Sequence, residues 1–512
     1  MHTQRVTVSF IGIWGIVCCL VFGGFAVPAL AKNIVVTTLE DRADPPFDAD
    51  SPCGTGTISD LYRADGDGLV SLREAIIAAN NTSGADTITF ATGGTIAVSS
   101  PLPVLCGGQT RINGDRDGDG APDITLEGEA LSFPAAGIGI ISSHNTINGL
   151  QVQHFPFGIV MQAGGDFPLP GAARTVEHNT VMNNVMAESS FYGTLLLTGD
   201  VPGSVLAHTT ITQNRAVQNG LFGIVVVANL SGGGSDTQIL HTRLTDNEVR
   251  ENGFFGIYLL SLGDGNVLSD ATLARNTVSG NGVGIMIQGG FGGADENTFE
   301  ADITDNTVTE NVSAGIEVVG GFENSSNNHV SALIRGNTVE RGHRNQGIGA
   351  IAGIGAVSSE TGTSNNNVLD VRIEQNTVQN QTGEGMYIAA GEGSPDGRPG
   401  AFANGNQARV LVEHNTVENN PAKGIEVDAG STGLASANVL EVRVAHNTVC
   451  NNTDTAILGE GGFSGDALFP ANTGTGNVLA GEISKNTATV VVQDGTPGNT
   501  ADVTQFNNDP CP

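Results

Sequence analysis

The chain has 512 residues and a formal net charge of −32, with 21 Lys and Arg set against 53 Asp and Glu. Such a surface repels phosphate backbones and anionic lipid headgroups, so nucleic-acid and membrane-surface partners are disfavoured, while solubility and cation binding are favoured. Almost no stretch shows the helical spacing of apolar residues, which points to an all-β chain.

The first 31 residues read as a secretory signal peptide. Arg5 gives a basic start, residues 10–27 are largely apolar, and Ala29-Leu30-Ala31 is a small-residue cleavage site before Lys32. A retained anchor is the alternative, but the apolar run is short and broken by glycines. The leader carries Arg5 and no acid, so the remaining chain stands at −33. It is expected to be secreted or on the cell surface, with no membrane insertion once the leader is gone. Cys18 and Cys19 leave with it. Cys53, Cys106, Cys450 and Cys511 remain, and an even number in an exported chain suggests disulfides. Three pairings are open. Cys53–Cys106 with Cys450–Cys511 is favoured because the two pairs lie at opposite ends, with free thiols as the alternative.

Residues 32–136 are expected to form an N-terminal cap. Ser71-Leu72-Arg73-Glu74 is a capping box that starts the one credible helix, running on through Ala75 to Asn80. That string, followed by Gly84-Ala85-Asp86-Thr87-Ile88-Thr89-Phe90, closely resembles a bacterial module named for Cys-Ser-Leu-Arg-Glu-Ala. The resemblance implies a cap that precedes β-helix repeats in exported surface proteins. Val70 stands where that module has its cysteine, so no role of the cysteine carries over. Further on, Asp115, Asp117, Asp119 and Asp123, with Gly120 at the sixth position, match the opening of a calcium loop. The twelfth position holds Leu126 instead of an acid, so a plain acidic turn is the alternative. Asp65-Gly66-Asp67-Gly68 is similar, but Arg63 takes its first ligand position, which favours a turn.

Residues 137–493 carry an imperfect repeat anchored on asparagine. Full copies are centred on Asn145, Asn179, Asn276, Asn306, Asn337, Asn376, Asn415 and Asn447, and degenerate ones on Asn214, Asn247 and Asn486, at spacings of 29 to 39 residues. An aliphatic residue precedes the anchor by three in every copy but the first, which has Ser142, a Val usually follows by two, and a second Asn often follows by five. Then comes Gly-Ile-x-aliphatic, as in Gly315-Ile316-Glu317-Val318. Each repeat therefore holds three short period-2 strands separated by Asn or Gly corners, which tolerate left-handed backbone. Such strands bury their apolar faces only by stacking on one another, and stacked Asn side chains can bond from coil to coil. The predicted fold is a right-handed parallel β-helix of about eleven coils, in which the anchor Asn turns the corner, the Val fills the core and the Thr between them faces out. The pattern resembles the pectin-lyase-like superfamily, over roughly two-thirds of the chain. Residues 494–512 are expected to be a C-terminal cap pinned by Cys511.

On such a cylinder chemistry belongs on an outward strand face beside long loops. The outward file reads Val160, Val225, Tyr258, Met286, Glu317, Tyr387, Glu426 and Leu458. Glu317, Glu426 and Asp428 are the candidate acids or bases, and Tyr258 and Tyr387 the candidate sugar platforms. The plainer reading is a covered or solvated stripe. Polygalacturonases of the superfamily carry Asn-Thr-Asp, Asp-Asp, Gly-His-Gly and Arg-Ile-Lys motifs. Only Asn452-Thr453-Asp454 is present here, and it coincides with a corner. No tryptophan remains after the leader. His144 with His178, and His414 with His446, should stack on neighbouring coils as polar ladder residues or a metal pair. The sequence thus favours a monomeric, non-catalytic surface protein that presents loops for adhesion or glycan contact. A polysaccharide lyase or glycoside hydrolase working in a groove is the alternative, with calcium the one cofactor implied.

Overall fold

The computed structural model describes residues 31–511 except 49–52, 63–65, 173, 231–235, 344–345, 356–361, 394–400, 432–433 and 463–473. Nearly all of the leader, together with Arg63 and Asp65, lies outside the described residues. The rest is a right-handed parallel β-helix. Its strands form four sheets of 18, 12, 12 and 4 strands, with successive coils paired in parallel. One sheet, here the long sheet, runs from Lys32–Val36 to Thr500–Phe506. A second holds three-residue strands such as Thr307–Thr309. A third, here the acid-bearing sheet, starts at Ala136–Ile140 and ends at Val490–Gln493.

The stacking passes through both regions expected to be caps. Lys32–Val36 pairs with Asp86–Phe90, which pairs with Thr110–Asn113, and Thr500–Phe506 pairs with Val478–Ser484. The coil recurs there without the Asn-Thr-Val signature because Asp86 and Thr110 occupy the equivalent bend. The helix Leu72–Asn80 forms with its capping box: Ser71 Oγ accepts from Glu74 N–H at 3.2 Å, and Glu74 Oε2 accepts from Ser71 N–H at 2.9 Å. Ile76 and Ile77 join the same core as Ile34, so the helix covers the N-terminal end of that core. Such a cover keeps the first coil from offering an open edge. Both favoured disulfides, Cys53–Cys106 and Cys450–Cys511, are present.

Aliphatic residues aligned coil on coil fill the interior. Ile211, Leu244, Leu273, Ile303, Ile334 and Ile373 are fully buried. Asparagine columns line its corners. In the longest, each backbone N–H donates to the Oδ1 of the Asn one coil on, and the column runs through Asn184, Asn214, Asn247, Asn276, Asn306, Asn337, Asn376, Asn415, Asn447, Asn486 and Asn508. Two expectations need correcting here. Asn145 and Asn179 belong to the bend before this corner, because Val181 pairs with Ile211 and Ile147. The bend and the corner lie five residues apart, so Asn-x-aliphatic fits both and the first two copies slip by one side. Nor does the Asn itself take the left-handed backbone. The preceding residue does, for example Arg275 (φ 55°), Asp305 (φ 56°) and His414 (φ 59°). The Asn is there for its side-chain amide. A further column, Asn266, Asn297, Asn328, Asn367, Asn406, Asn438, Asn477 and Asn499, joins the acid-bearing sheet to the long sheet.

Candidate functional site: a carboxyl cluster and a charged groove

The outward file predicted on the acid-bearing sheet is in register. Tyr258 pairs with Met286, Met286 with Glu317, Glu317 with Gly349, Gly349 with Tyr387, Tyr387 with Glu426, and Glu426 with Leu458. Its N-terminal part is covered. Val160, Leu195, Val225, Tyr258 and Met286 form a second apolar cluster with loop residues such as Leu169 and Leu230. Tyr258 is buried, its ring lies against Phe255 with centroids 4.4 Å apart, and its hydroxyl donates to Gln288 Oε1 at 2.5 Å. Its surface is already committed to packing, whereas Tyr387 is half-buried.

Further along, the file becomes acidic. Period 2 puts Asp428 beside Glu426 on one strand face, and Asp428 pairs with Glu460 on the next coil. Oxygens of Glu426, Asp428 and Glu460 lie within 4.8 Å of one another, and all three residues are buried. Lys423 Nζ sits 2.7 Å from Glu426 Oε1, and Gln493 donates to Glu460. Neither carboxylate oxygen of Asp428 has a hydrogen-bond partner. Burial, reinforced by Glu426 and Glu460, holds the Asp428 carboxyl well above the usual range. Burial also pushes Glu426 up to about 7 against the pull of Lys423. It lifts Glu317 to about 7, and with the fields of Glu317 and Glu426 it lifts half-buried Glu392 to about 8. Tyr387 is raised in the same way by burial and by Glu392, Asp428 and Glu426. Of the predicted acids, then, Glu426 and Asp428 come together with Glu460, while Glu317 lies three coils away. Glu460 and Glu392 were missed. Glu460 was findable as the residue two places past Leu458 in the same file.

A second site was not foreseen at all. The outer face of the long sheet carries a groove of about 870 Å³ lined by Leu333, Asp370, Arg372, Arg409, Leu411, Glu441 and Arg443 among others. Here Leu333, Arg372, Leu411 and Arg443 stand on successive coils, with Ser331, Asp370, Arg409 and Glu441 as a parallel file. Arg409 Nε is 3.2 Å from Glu441, Arg372 pairs with Glu374, and Arg443 pairs with Glu413. Leu333 and Leu411 are half-buried between these forks and give the groove an apolar floor.

The remaining expectations concern metal. Asp115, Asp117 and Asp123 offer oxygens within 4.8 Å of one another, and Asp119 is outside that group. Asp115 accepts from Gly118 N–H and Gly120 N–H, and Asp119 accepts from Ala121 N–H, as in an acidic turn. His144 and His178 stack at 5.0 Å and His414 and His446 at 5.1 Å. The first pair continues through His208 and His241, each step 4.6 Å, because the true register of those coils brings them into line. His241 Nδ1 is 2.9 Å from Asp270.

Comparison with known proteins agrees on architecture. A family model described as "Right handed beta helix region" matches residues 136–331. No curated protein matches the chain. Among solved structures, the mannuronan C-5 epimerase AlgE6 A-module of Azotobacter vinelandii is 13% identical, with 83% of this chain and 91% of that one covered and a TM-score of 0.39. The periplasmic alginate epimerase AlgG is 13% identical over 89% of this chain and 83% of its own, with a TM-score of 0.41. The Dettilon tailspike protein is 16% identical over 79% and 67%, with a TM-score of 0.43.

Proposed function

We propose that the protein is exported, acts as a monomer, and binds a glycan non-catalytically in the groove of the long sheet. The observation that carries this reading is the alternation of Arg forks, carboxylates and leucines in one open groove. Planar forks and carboxylates can bond pairs of sugar hydroxyls, and Leu333 and Leu411 can receive the apolar face of a ring. Opposite charges are interspersed there, which suits a neutral glycan better than a polyanion. Export is supported by the two disulfides and by the leader-like first 31 residues. No described helix is long and apolar enough to cross a membrane. The test is binding to a panel of neutral and acidic polysaccharides, with Leu333→Asp and Leu411→Asp made together. The double variant should bind at least about tenfold more weakly, a loss of about 1.4 kcal/mol. Unchanged binding would reject the groove.

A second reading, polysaccharide lyase or glycoside hydrolase, is favoured by the carboxyl cluster. Glu426, Asp428 and Glu460 are close together, Glu426 titrates near neutrality, and Tyr387 and Lys423 stand beside them. Burial of all three acids weighs against it, since a sugar must reach its acid and base. Release of reducing ends or unsaturated products that is lost in Glu426→Gln would establish this reading and displace the first.

Calcium is proposed for Asp115, Asp117 and Asp123, as a clamp on the acidic turn near the N-terminal end. Calcium at a hundredfold excess over its Kd should stabilise the fold by about 2.7 kcal/mol if it binds only the folded state. The check is a melting temperature that rises with calcium and falls with chelator in the wild type, and does neither in Asp115→Asn. A chelator-insensitive melt rejects the site.

A further inference from the structure

Two rungs of the bend column of the long sheet share a device: Thr110 N–H donates to Asn145 Oδ1 at 3.1 Å and Asn145 N–H to Asn179 Oδ1 at 2.7 Å, each one coil on. At those rungs the donor is a neutral peptide and the acceptor a neutral amide. The first rung breaks the pattern. There Lys32 pairs in register with Asp86, which in turn pairs with Thr110, so the acceptor is a carboxylate. Asp86 is 2% exposed, and neither of its oxygens has a hydrogen-bond partner. The Lys32 nitrogen lies beside it, but the one peptide proton there is given to Ala85 O at 3.1 Å. Burial raises the Asp86 carboxyl, offset by the Lys32 backbone N–H that faces it and by the Lys32 charge.

A buried carboxylate whose one facing N–H is already given to a backbone carbonyl is costly, and the next rungs place a hydroxyl at Thr110 and amides at Asn145 and Asn179 instead. The reason would lie in the donor. We propose that Asp86 is the receptor for the α-ammonium of Lys32 created when the leader is removed between Ala31 and Lys32. The proposal rests on the sequence reading of that cleavage site and is independent of the glycan reading. In the hydrolysis, the bond between the Ala31 carbonyl carbon and the Lys32 nitrogen breaks. Water supplies OH to the carbonyl carbon and H to the nitrogen, and the freed amine takes up the proton of the new carboxylic acid. The products are an Ala31 carboxylate and a Lys32 ammonium. The nitrogen then has three N–H donors. One continues to Ala85 O, and the others are free for Asp86 as charge-assisted bonds. Leader removal thus completes the first rung of the solenoid, at the end where a stack otherwise frays.

The exported protein should begin at Lys32 by intact mass and terminal sequencing, and any other start overturns the proposal. Two matched chains then isolate the contact, one released from a fusion to begin at Lys32 and one with a single Ser before it. The Lys32 chain should melt several degrees higher, and the difference should vanish in Asp86→Asn. An equal difference in Asp86→Asn, or none in the wild type, overturns it. In case Asp86→Asn does not fold, the wild type alone gives a second readout. Its α-amine should be acylated at neutral pH about tenfold more slowly in the folded chain than in urea, because an ammonium paired with a buried carboxylate holds its proton more tightly. Equal rates overturn it.

Discussion

Asn306→Ala is expected to cost about 3–5 kcal/mol of stability, which is large for one side chain. Asn306 is 1% exposed, and its amide joins three coils. Oδ1 accepts from Asn276 N–H at 2.9 Å and from Asn276 Nδ2 at 3.0 Å. Nδ2 donates to Leu273 O at 2.9 Å and to Asn337 Oδ1 at 2.9 Å. Truncation leaves the Asn276 N–H and the Leu273 carbonyl buried with no water to replace the lost partner, at about 1–3 kcal/mol each. It also interrupts a chain of amides that polarise one another. The next residue is the control. Thr307 is exposed on the same coil, and Thr307→Ala should change stability by less than about 0.5 kcal/mol. Urea unfolding gives both numbers. Hydrogen exchange at Asn276 N–H reports the local loss even if the array does not unfold as one unit. An Asn306→Ala protein as stable as the Thr307→Ala protein would mean that the column follows the fold and does not hold it.

The architecture was legible because one physical fact recurs at every coil: an aliphatic residue must point inward between two tight corners. That fact survives degenerate copies, so Leu244 and Ile211 are in place even where Asn247 and Asn214 lack the Thr-Val that follows elsewhere. Register was less legible. A side of five residues makes the bend at Asn179 look like the corner at Asn184, and only pairing to a known neighbour separates them. The column from Asn266 to Asn499 carried its own signal, Asn-x-aliphatic in Asn266-Val267-Leu268, Asn438-Val439-Leu440 and Asn477-Val478-Leu479. Its distance from the anchor Asn varies with the loops between the acid-bearing and long sheets, which hides the repeat.

The same variation explains what was and was not seen of the sites. Glu317, Tyr387 and Glu426 follow the anchor corner at nearly constant distance, so the file could be read directly. The groove lies beyond the variable loops, and its rows emerge only when Asn367, Asn406 and Asn438 set the register. Burial of an outward face is not encoded in its own strand. Tyr258 is buried in a cluster completed by loop residues such as Leu230 and Leu169, which carry no periodic signature.

Stability is expected to rise as pH falls from about 8 toward about 5, the reverse of a chain whose buried carboxylates are all paired. An unfolded glutamate titrates near about 4.3, whereas Glu317 is held at about 7 and Glu392 at about 8 by burial. Between those values the folded chain binds protons that the unfolded chain has lost, so unfolding releases them and stability falls with rising pH. The contribution is fully present below the unfolded pKa and is lost as pH rises through about 7 for Glu317 and about 8 for Glu392. Each tenfold gain in proton affinity on folding is worth about 1.4 kcal/mol, so Glu317 alone accounts for about 3–4 kcal/mol between about pH 4 and about pH 8. Surface pairs such as Arg409 with Glu441 pull weakly the other way, at about 1 kcal/mol or less apiece. Glu317→Gln should therefore leave stability at about pH 5 nearly unchanged, raise it at about pH 8, and flatten the slope between them by up to about one proton. Melting curves of both proteins across that range decide the matter. Parallel pH profiles for wild type and Glu317→Gln would mean that the Glu317 carboxyl is hydrated in the folded chain and that burial does not hold its proton.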